Sequence, residues 1–207
     1  MGFQVSVTSG PMPDMFHSFA HLASCTLAGT DYAVTTILRP SSPVLVLAPH
    51  GGGIEAGSGE LAELVAGEQH NLFTFAGLRS HGNRDLHLSS SRFDHPECLS
   101  MLSRCAFALA IHGCRGEGQI YVGGLETLLV DLLVRQLTAA GLPATSDVPR
   151  HLAGQDPGNV CNRGTLGRGA QLEITMDLRS VSARSDIASA VSAALAEYLT
   201  ASAVRSA

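Results

Sequence analysis

Apolar residues fall into two kinds of run along this 207-residue chain. The first kind is short and unbroken, as in Val44 to Ala48 (VLVLA) and Ala106 to Ile111 (AFALAI). Aliphatic runs of this length between turn residues predict strands covered on both faces. Tyr32 to Leu38, Leu72 to Phe75 and Ala170 to Met176 predict further strands, and Tyr121-Val122 a short one. Leu86 and Leu88 alternate about His87, which predicts another short strand. The second kind of run has helical spacing. It covers Met15 to Leu22, the segment from a capping Ser58 through Leu61, Leu64 and Val65, and the segment from Pro96 through Leu99 to Leu102. Leu125 to Ala140 is amphipathic and closed by Gly141 and Pro143, and Arg184 to Val204 is an alanine-rich terminal helix. Strands and helices alternate. The predicted fold class is therefore α/β, a single domain over 1–207 with a mixed, mostly parallel sheet flanked by helices. The Gly-, Ser- and Pro-rich residues 1–13 are expected to be poorly ordered. Residues 149–169, rich in Gly, Asn and Arg, predict a long functional loop.

Composition narrows this picture. The chain is 45% hydrophobic and 15% charged, enough apolar material for a sizeable core. Its net charge of −5 argues against a nucleic-acid partner. All 13 basic residues are arginine, so an anionic small molecule or polymer can still be met by placed guanidinium groups. Five cysteines without a CxxC pair argue against a disulfide framework and a cysteine-rich zinc site. No apolar run reaches the length that spans a bilayer. Met1 to Phe16 lacks a basic segment followed by an apolar one, so the expected location is the cytoplasm at synthesis, with no membrane partner.

The candidate chemistry sits where the two unbroken runs end. Each closes on a histidine followed by glycine: Pro49-His50-Gly51 and Ile111-His112-Gly113. Neighbouring parallel strands would carry both imidazoles to one sheet edge, where α/β folds bind ligands. With Glu55 they form a His, Glu, His set, which suits a catalytic zinc with one position left open. Glu173 is a carboxylate inside the apolar strand Leu172-Glu173-Ile174, a costly placement unless it is paired or functional. It is a candidate general base, the alternative being a structural pair with an arginine such as Arg179. Arg84 beside Asn83, Arg163 beside Asn162, and Arg115 behind His112 are candidate carboxylate binders in Gly-rich loops. His81 and His87 flank Asn83-Arg84, and either could approach the site. Cys114 and Cys161 lie in loops expected to converge on it, where the two thiols either touch or are inert, the second being the stronger reading. A P-loop is excluded because the chain has no lysine.

Four motifs occur in order: APHGGGIEAGSGELA, FTFAGLRSHGNRDLHLSSSRFDHPE, AIHGCRGEGQIYVGG and VCNRGTLGRGAQLEIT. In these the chain resembles the poly-γ-glutamate hydrolase family of bacteriophages and bacterial genomes. The resemblance implies a zinc carboxypeptidase-like core, one zinc ion and cleavage of γ-glutamyl amide bonds. It implies His50, Glu55 and His112 as zinc ligands and Glu173 as the acid/base. It also implies Asn83 and Arg84 as the pair that holds a substrate carboxylate; Arg163 and Arg115 stay as further candidates from the residue pattern alone. Carboxypeptidases space the first two ligands as HxxE, whereas here four residues separate His50 from Glu55. The expectation is a monomeric hydrolase of an anionic γ-glutamyl polymer, either a phage- or prophage-type enzyme released by lysis or a bacterial enzyme that handles internal γ-glutamyl compounds. The alternatives are a deacylase of small N-acyl or γ-glutamyl amino acids and an inactive binding relative.

Overall fold

The computed structural model describes residues 14–205, so the expectation for residues 1–13 lies outside the described residues. In chain order the elements are α1 (Phe19–Cys25), β1 (Tyr32–Ile37), β2 (Val44–Gly52), α2 (Ser58–Ala66), β3 (Asn71–Gly77) and α3 (Pro96–Leu102). There follow β4 (Phe107–Cys114), β5 (Ile120–Gly124), α4 (Thr127–Ala139), β6 (Ala144–Thr145), β7 (Ala170–Thr175) and α5 (Val181–Arg205). The strands form one seven-stranded sheet in the order β1-β3-β2-β4-β7-β5-β6. β2 runs parallel to β3 and β4, β4 parallel to β7, and β5 parallel to β6. β1 and β5 are antiparallel to β3 and β7. The chain is thus a single α/β domain with a mixed, mostly parallel sheet. The central strands β2, β4 and β7 all end at the same edge.

Alternation along the strands builds a core on each face of the sheet. Val44 and Val46 of β2, Phe107, Leu109 and Ile111 of β4, and Leu172 and Ile174 of β7 point to the side covered by α2, α4 and α5. Leu45, Leu47, Ala108 and Ala110 point the other way, toward Phe73, Phe75, Phe93 and α3. On that second side β7 offers Gln171, Glu173 and Thr175, all buried and polar. The polar face of one central strand therefore adjoins the apolar face of the next, and the site forms at that boundary.

Three expectations need correction. Leu86 and Leu88 do not lie in a strand: residues Asn83–Leu86 form a 3-10 turn. Both leucines are fully buried beneath the loop, which produces the same alternation without a strand partner. Ser58 does not cap α2. Gly57 holds that position at φ 91°, and the Ser58 hydroxyl donates to the His50 carbonyl at 3.3 Å. The third concerns apolar length. Val181–Val204 of α5 has a mean hydropathy of 1.4 and is long and apolar enough to cross a membrane by composition alone. Its Ile187, Val191, Ala194 and Leu195 belong to the core, and Arg184 pairs with Glu60 of α2.

Candidate metal centre

A β-bulge aims the first histidine. Between β2 and β3 the register passes from Ala48–Thr74 to Gly51–Ala76, three steps on one strand against two on the other. Pro49, which has no N–H to give a ladder, lies in the bulge. Without the extra residue His50 would follow Val44, Val46 and Ala48 onto the helix-covered side. With it, the ring turns to the second side, where it stacks on His87 at 4.0 Å and meets the edge of Phe93 at 6.4 Å. His112 needs no such device, because it alternates with Phe107, Leu109 and Ile111 and so faces this side by the pleat alone. Glu173 is its register partner across β4 and β7.

The glycine loop then returns Glu55 to His50. The Glu55 N–H donates to the His50 carbonyl at 2.9 Å. Gly52 takes φ 61°, and a Cβ there would stand 2.4 Å from the Gly77 carbonyl oxygen, so no other residue fits. As a result His50 Nδ1 lies 3.2 Å from Glu55 Oε1 and 3.2 Å from His112 Nδ1. His112 Nδ1 lies 3.6 Å from Glu55 Oε2. The edge of a tetrahedron with metal–ligand bonds near 2 Å measures roughly 3.3 Å, so this donor set fits a zinc-sized ion. The outer atoms are held as metal ligands require. His50 Nε2 donates to the Leu88 carbonyl at 2.7 Å, which leaves the Nδ1 lone pair facing the centre. His112 Nε2 meets Ser90 Oγ at 3.3 Å, and the Gly113 N–H donates to Glu55 Oε2 at 2.8 Å.

Electrostatics separate the two carboxylates. Burial pushes the Glu55 carboxyl up, but His50 and His112 outweigh it and hold the group well below its usual range. Burial and the nearby Glu55 charge push the Glu173 carboxyl well above that range, against the pull of His50 and Arg179. Glu173 is thus poised to hold a proton while Glu55 stays ionised. Gln171 Nε2 donates to Glu173 Oε1 at 3.2 Å. The structural pair with Arg179 does not form. That guanidinium donates to the carbonyls of Ile174, at 3.0 Å, and Ala56.

The other sequence candidates divide. Arg84 and Arg115 line a cleft of about 1150 Å³ that holds the centre, together with His87 and Cys114. Asn83 is buried and tied to Arg79, accepting from its N–H at 3.0 Å and donating to its carbonyl at 2.6 Å, so its side chain fixes the turn that presents Arg84. Arg163 donates to the Phe93 carbonyl at 2.9 Å and does not line the cleft. His81 is exposed and bonded to Ser80. Cys114 and Cys161 are free thiols, each pushed up to about 12, chiefly by burial. Cys161 instead contacts Gln171 Oε1 at 3.8 Å. Sequence reading missed Asp14, which bonds His87 Nδ1 at 2.7 Å and accepts from Ser89 N at 2.7 Å. It also missed Ser90, Gln171, Arg92 and Arg150. Of these only Gln171 left a signal, two residues from Glu173 on the same face.

Fold and donor set together define an α/β protein with a mostly parallel sheet and a candidate His, Glu, His metal site at its edge. In fold it matches a structure described as a carboxypeptidase from Burkholderia mallei, with a TM-score of 0.52 at 11% identity over 82% of this chain and 60% of that one. The poly-gamma-glutamate hydrolase family profile matches residues 16–198, and the chain belongs to that family. The structure of a bacteriophage poly-gamma-glutamate hydrolase superposes with a TM-score of 0.86 at 31% identity, covering 91% of this chain and 99% of that one. A structure described as zinc-free apo YndL gives 0.79 at 33% identity, covering 92% and 99%. In sequence, the UPF0714 protein YndL of Bacillus subtilis is 39% identical over 154 residues, 72% of this chain but 60% of YndL. A prophage-derived UPF0714 protein of the same organism, YoqZ, is 38% identical over 66% of this chain and 50% of its own length. The chain thus spans between half and two thirds of these two relatives.

Proposed function

We propose that this protein is a zinc-dependent hydrolase of γ-glutamyl amide bonds in poly-γ-glutamate. The observation that carries the reading is the convergence of His50, Glu55 and His112, with ligand atoms within 4.8 Å of one another, in an arginine-lined cleft. These three residues would hold one zinc ion, for which two imidazoles and a carboxylate are a suitable donor set. When bound, the ion supplies Lewis acidity and lowers the pKa of water. Glu173 moves the proton. Gln171 holds its Oε1, and Oε2 takes the proton of the attacking water and returns it to the leaving nitrogen. A raised pKa suits this exchange, since the same group serves as base and then as acid. Arg84 and Arg115, both exposed in the cleft, pair with the free carboxylates of the substrate. All these residues come from one chain, so the proposed site is complete without a residue from a second copy.

The second reading, a deacylase of small N-acyl amino acids, draws support from the carboxypeptidase-like fold. A small acyl amino acid would leave most of a cleft of about 1150 Å³ empty, so the polymer is favoured. The test is the release of new α-amino groups by zinc-loaded protein from poly-γ-glutamate and from N-acyl amino acids, compared at equal bond concentration. Faster release from the polymer supports the proposal. Release from the small amides alone overturns it in favour of the deacylase.

A further inference from the structure

Arginines in this protein sort into two groups by what they touch. Arg79, Arg135, Arg168 and Arg184 pair with carboxylates. Arg39, Arg163 and Arg179 donate to main-chain carbonyls. Among the described residues, the side chains of Arg84, Arg92, Arg104, Arg115 and Arg150 make no such bond. All but Arg104 line the cleft of the metal centre. All four cleft arginines are exposed to solvent.

The carboxylates that share this cleft do not answer them. Asp14 is held by His87 and the Ser89 N–H. Glu55 faces the two histidines, and Asp156 accepts from the Gly158 N–H at 2.8 Å. Glu173 accepts from Gln171 Nε2 at 3.2 Å. On a chain with a net charge of −5, four guanidinium groups that are unpaired among the described residues line one cleft and are available to an anionic ligand. A second cavity of about 400 Å³ along β5 and the start of α4 shares Arg150 and Gln155 with the cleft, and its one acidic residue is Asp131.

We propose that Arg92 and Arg150 act with Arg84 and Arg115 as a track that binds several carboxylates of one polyanionic chain at once, and so sets a preference for long substrates. Poly-γ-glutamate carries one free carboxylate per residue, so successive residues of one chain can each meet a guanidinium. The identity of the substrate rests on the reading above, whereas the anion track does not. Each arginine added to the track raises affinity by linking one more contact to those already made.

The test uses zinc-loaded wild type, Arg92→Gln, Arg150→Gln and, as a control outside the cleft, Arg104→Gln. Binding of end-labelled poly-γ-glutamate is read by fluorescence anisotropy at low and high salt. Hydrolysis of the polymer and of a short γ-glutamyl oligomer is read in parallel. Loss of one charge-assisted contact is expected to weaken polymer binding about tenfold in each cleft variant and to flatten its salt dependence. Arg104→Gln is expected to bind as wild type. The fall in kcat/KM is expected mainly in KM and to be larger for the polymer than for the oligomer. Cleft variants that bind the polymer as tightly as Arg104→Gln, or that lose equally on long and short substrates, overturn the track. Wild type that binds the polymer through these arginines but cuts no γ-linkage contradicts the hydrolase reading and leaves the track standing.

Discussion

His50 Nδ1 and His112 Nδ1 stand 3.2 Å apart although their strands reach that point by different routes, one through a bulge and one by plain alternation. Two imidazole nitrogens and the Glu55 carboxylate at this separation require a cation or shared protons between them. His112→Ala and Glu55→Gln are each expected to abolish tight zinc binding, measured by competition with a chromophoric chelator. Ser90→Ala removes only the partner of His112 Nε2. It is expected to weaken zinc binding by about 10-fold while leaving the fold intact, the usual effect of losing an outer hydrogen bond on a ligand.

Glu173→Gln keeps the size of the side chain and removes its basicity. It is expected to retain zinc and to lower kcat by ~10² to 10⁴-fold, the usual contribution of a positioned proton-transfer group. Full activity in this variant would remove Glu173 from the proton pathway.

The raised pKa of Glu173 fixes the sign of the pH dependence. As base the group must be ionised, so activity rises as pH climbs through its pKa and is lost as pH falls below it. Burial and Glu55 place that pKa above the 4.5 of an ordinary glutamate. The acid limb of kcat/KM is expected above that value, and Glu173→Gln is expected to abolish the limb. A limb at or below 4.5 would mean that another group titrates.

Much of this site was legible in the sequence because chemistry and pattern coincided. Val44 to Ala48 and Ala106 to Ile111 could only be buried strands, and both ended in His-Gly. A carboxylate between Leu172 and Ile174 was conspicuous for the cost of burying it. Other parts were illegible for physical reasons. The bulge at Pro49 changes which side His50 faces but leaves no periodic mark in so short a segment. β6 has two residues, too few for any period. Leu86 and Leu88 alternate as a strand would, but the burial of a loop produced the pattern. Asn83 is placed on the substrate by the family resemblance, and Arg163 by residue type beside glycine. Residue type does not reveal that Asn83 bonds Arg79 or that Arg163 bonds the Phe93 carbonyl. Arg92 and Arg150 gave no signal, since an arginine without a partner reads like any other until the fold brings it to the cleft.

Arg179 joins three segments that carry the site. Its guanidinium bonds Ala56 beside Glu55 and Ile174 beside Glu173, and it lies against Gly113 beside His112. Arg179→Met leaves both carbonyls without this donor. It is expected to destabilise the fold by about 2–4 kcal/mol in urea unfolding and to weaken zinc binding as the loop loosens. Gly113→Ala attacks the same contact from the other side, since a Cβ there would stand 2.3 Å from Arg179 Cζ. A cost of about 1–3 kcal/mol is expected for that overpacking. If both variants unfold as wild type does, Arg179 does not fasten the site.

The central claim is that a metal at His50, Glu55 and His112 drives cleavage of a γ-linked polymer. The most direct measurement is the chain length of poly-γ-glutamate, read by size-exclusion chromatography, after incubation with protein as purified, after chelation, and after zinc is restored. The account predicts shortening by the purified protein, none after chelation, and recovery at one zinc per chain. Undiminished shortening by thoroughly chelated protein, or no shortening with one zinc bound per chain, would contradict it.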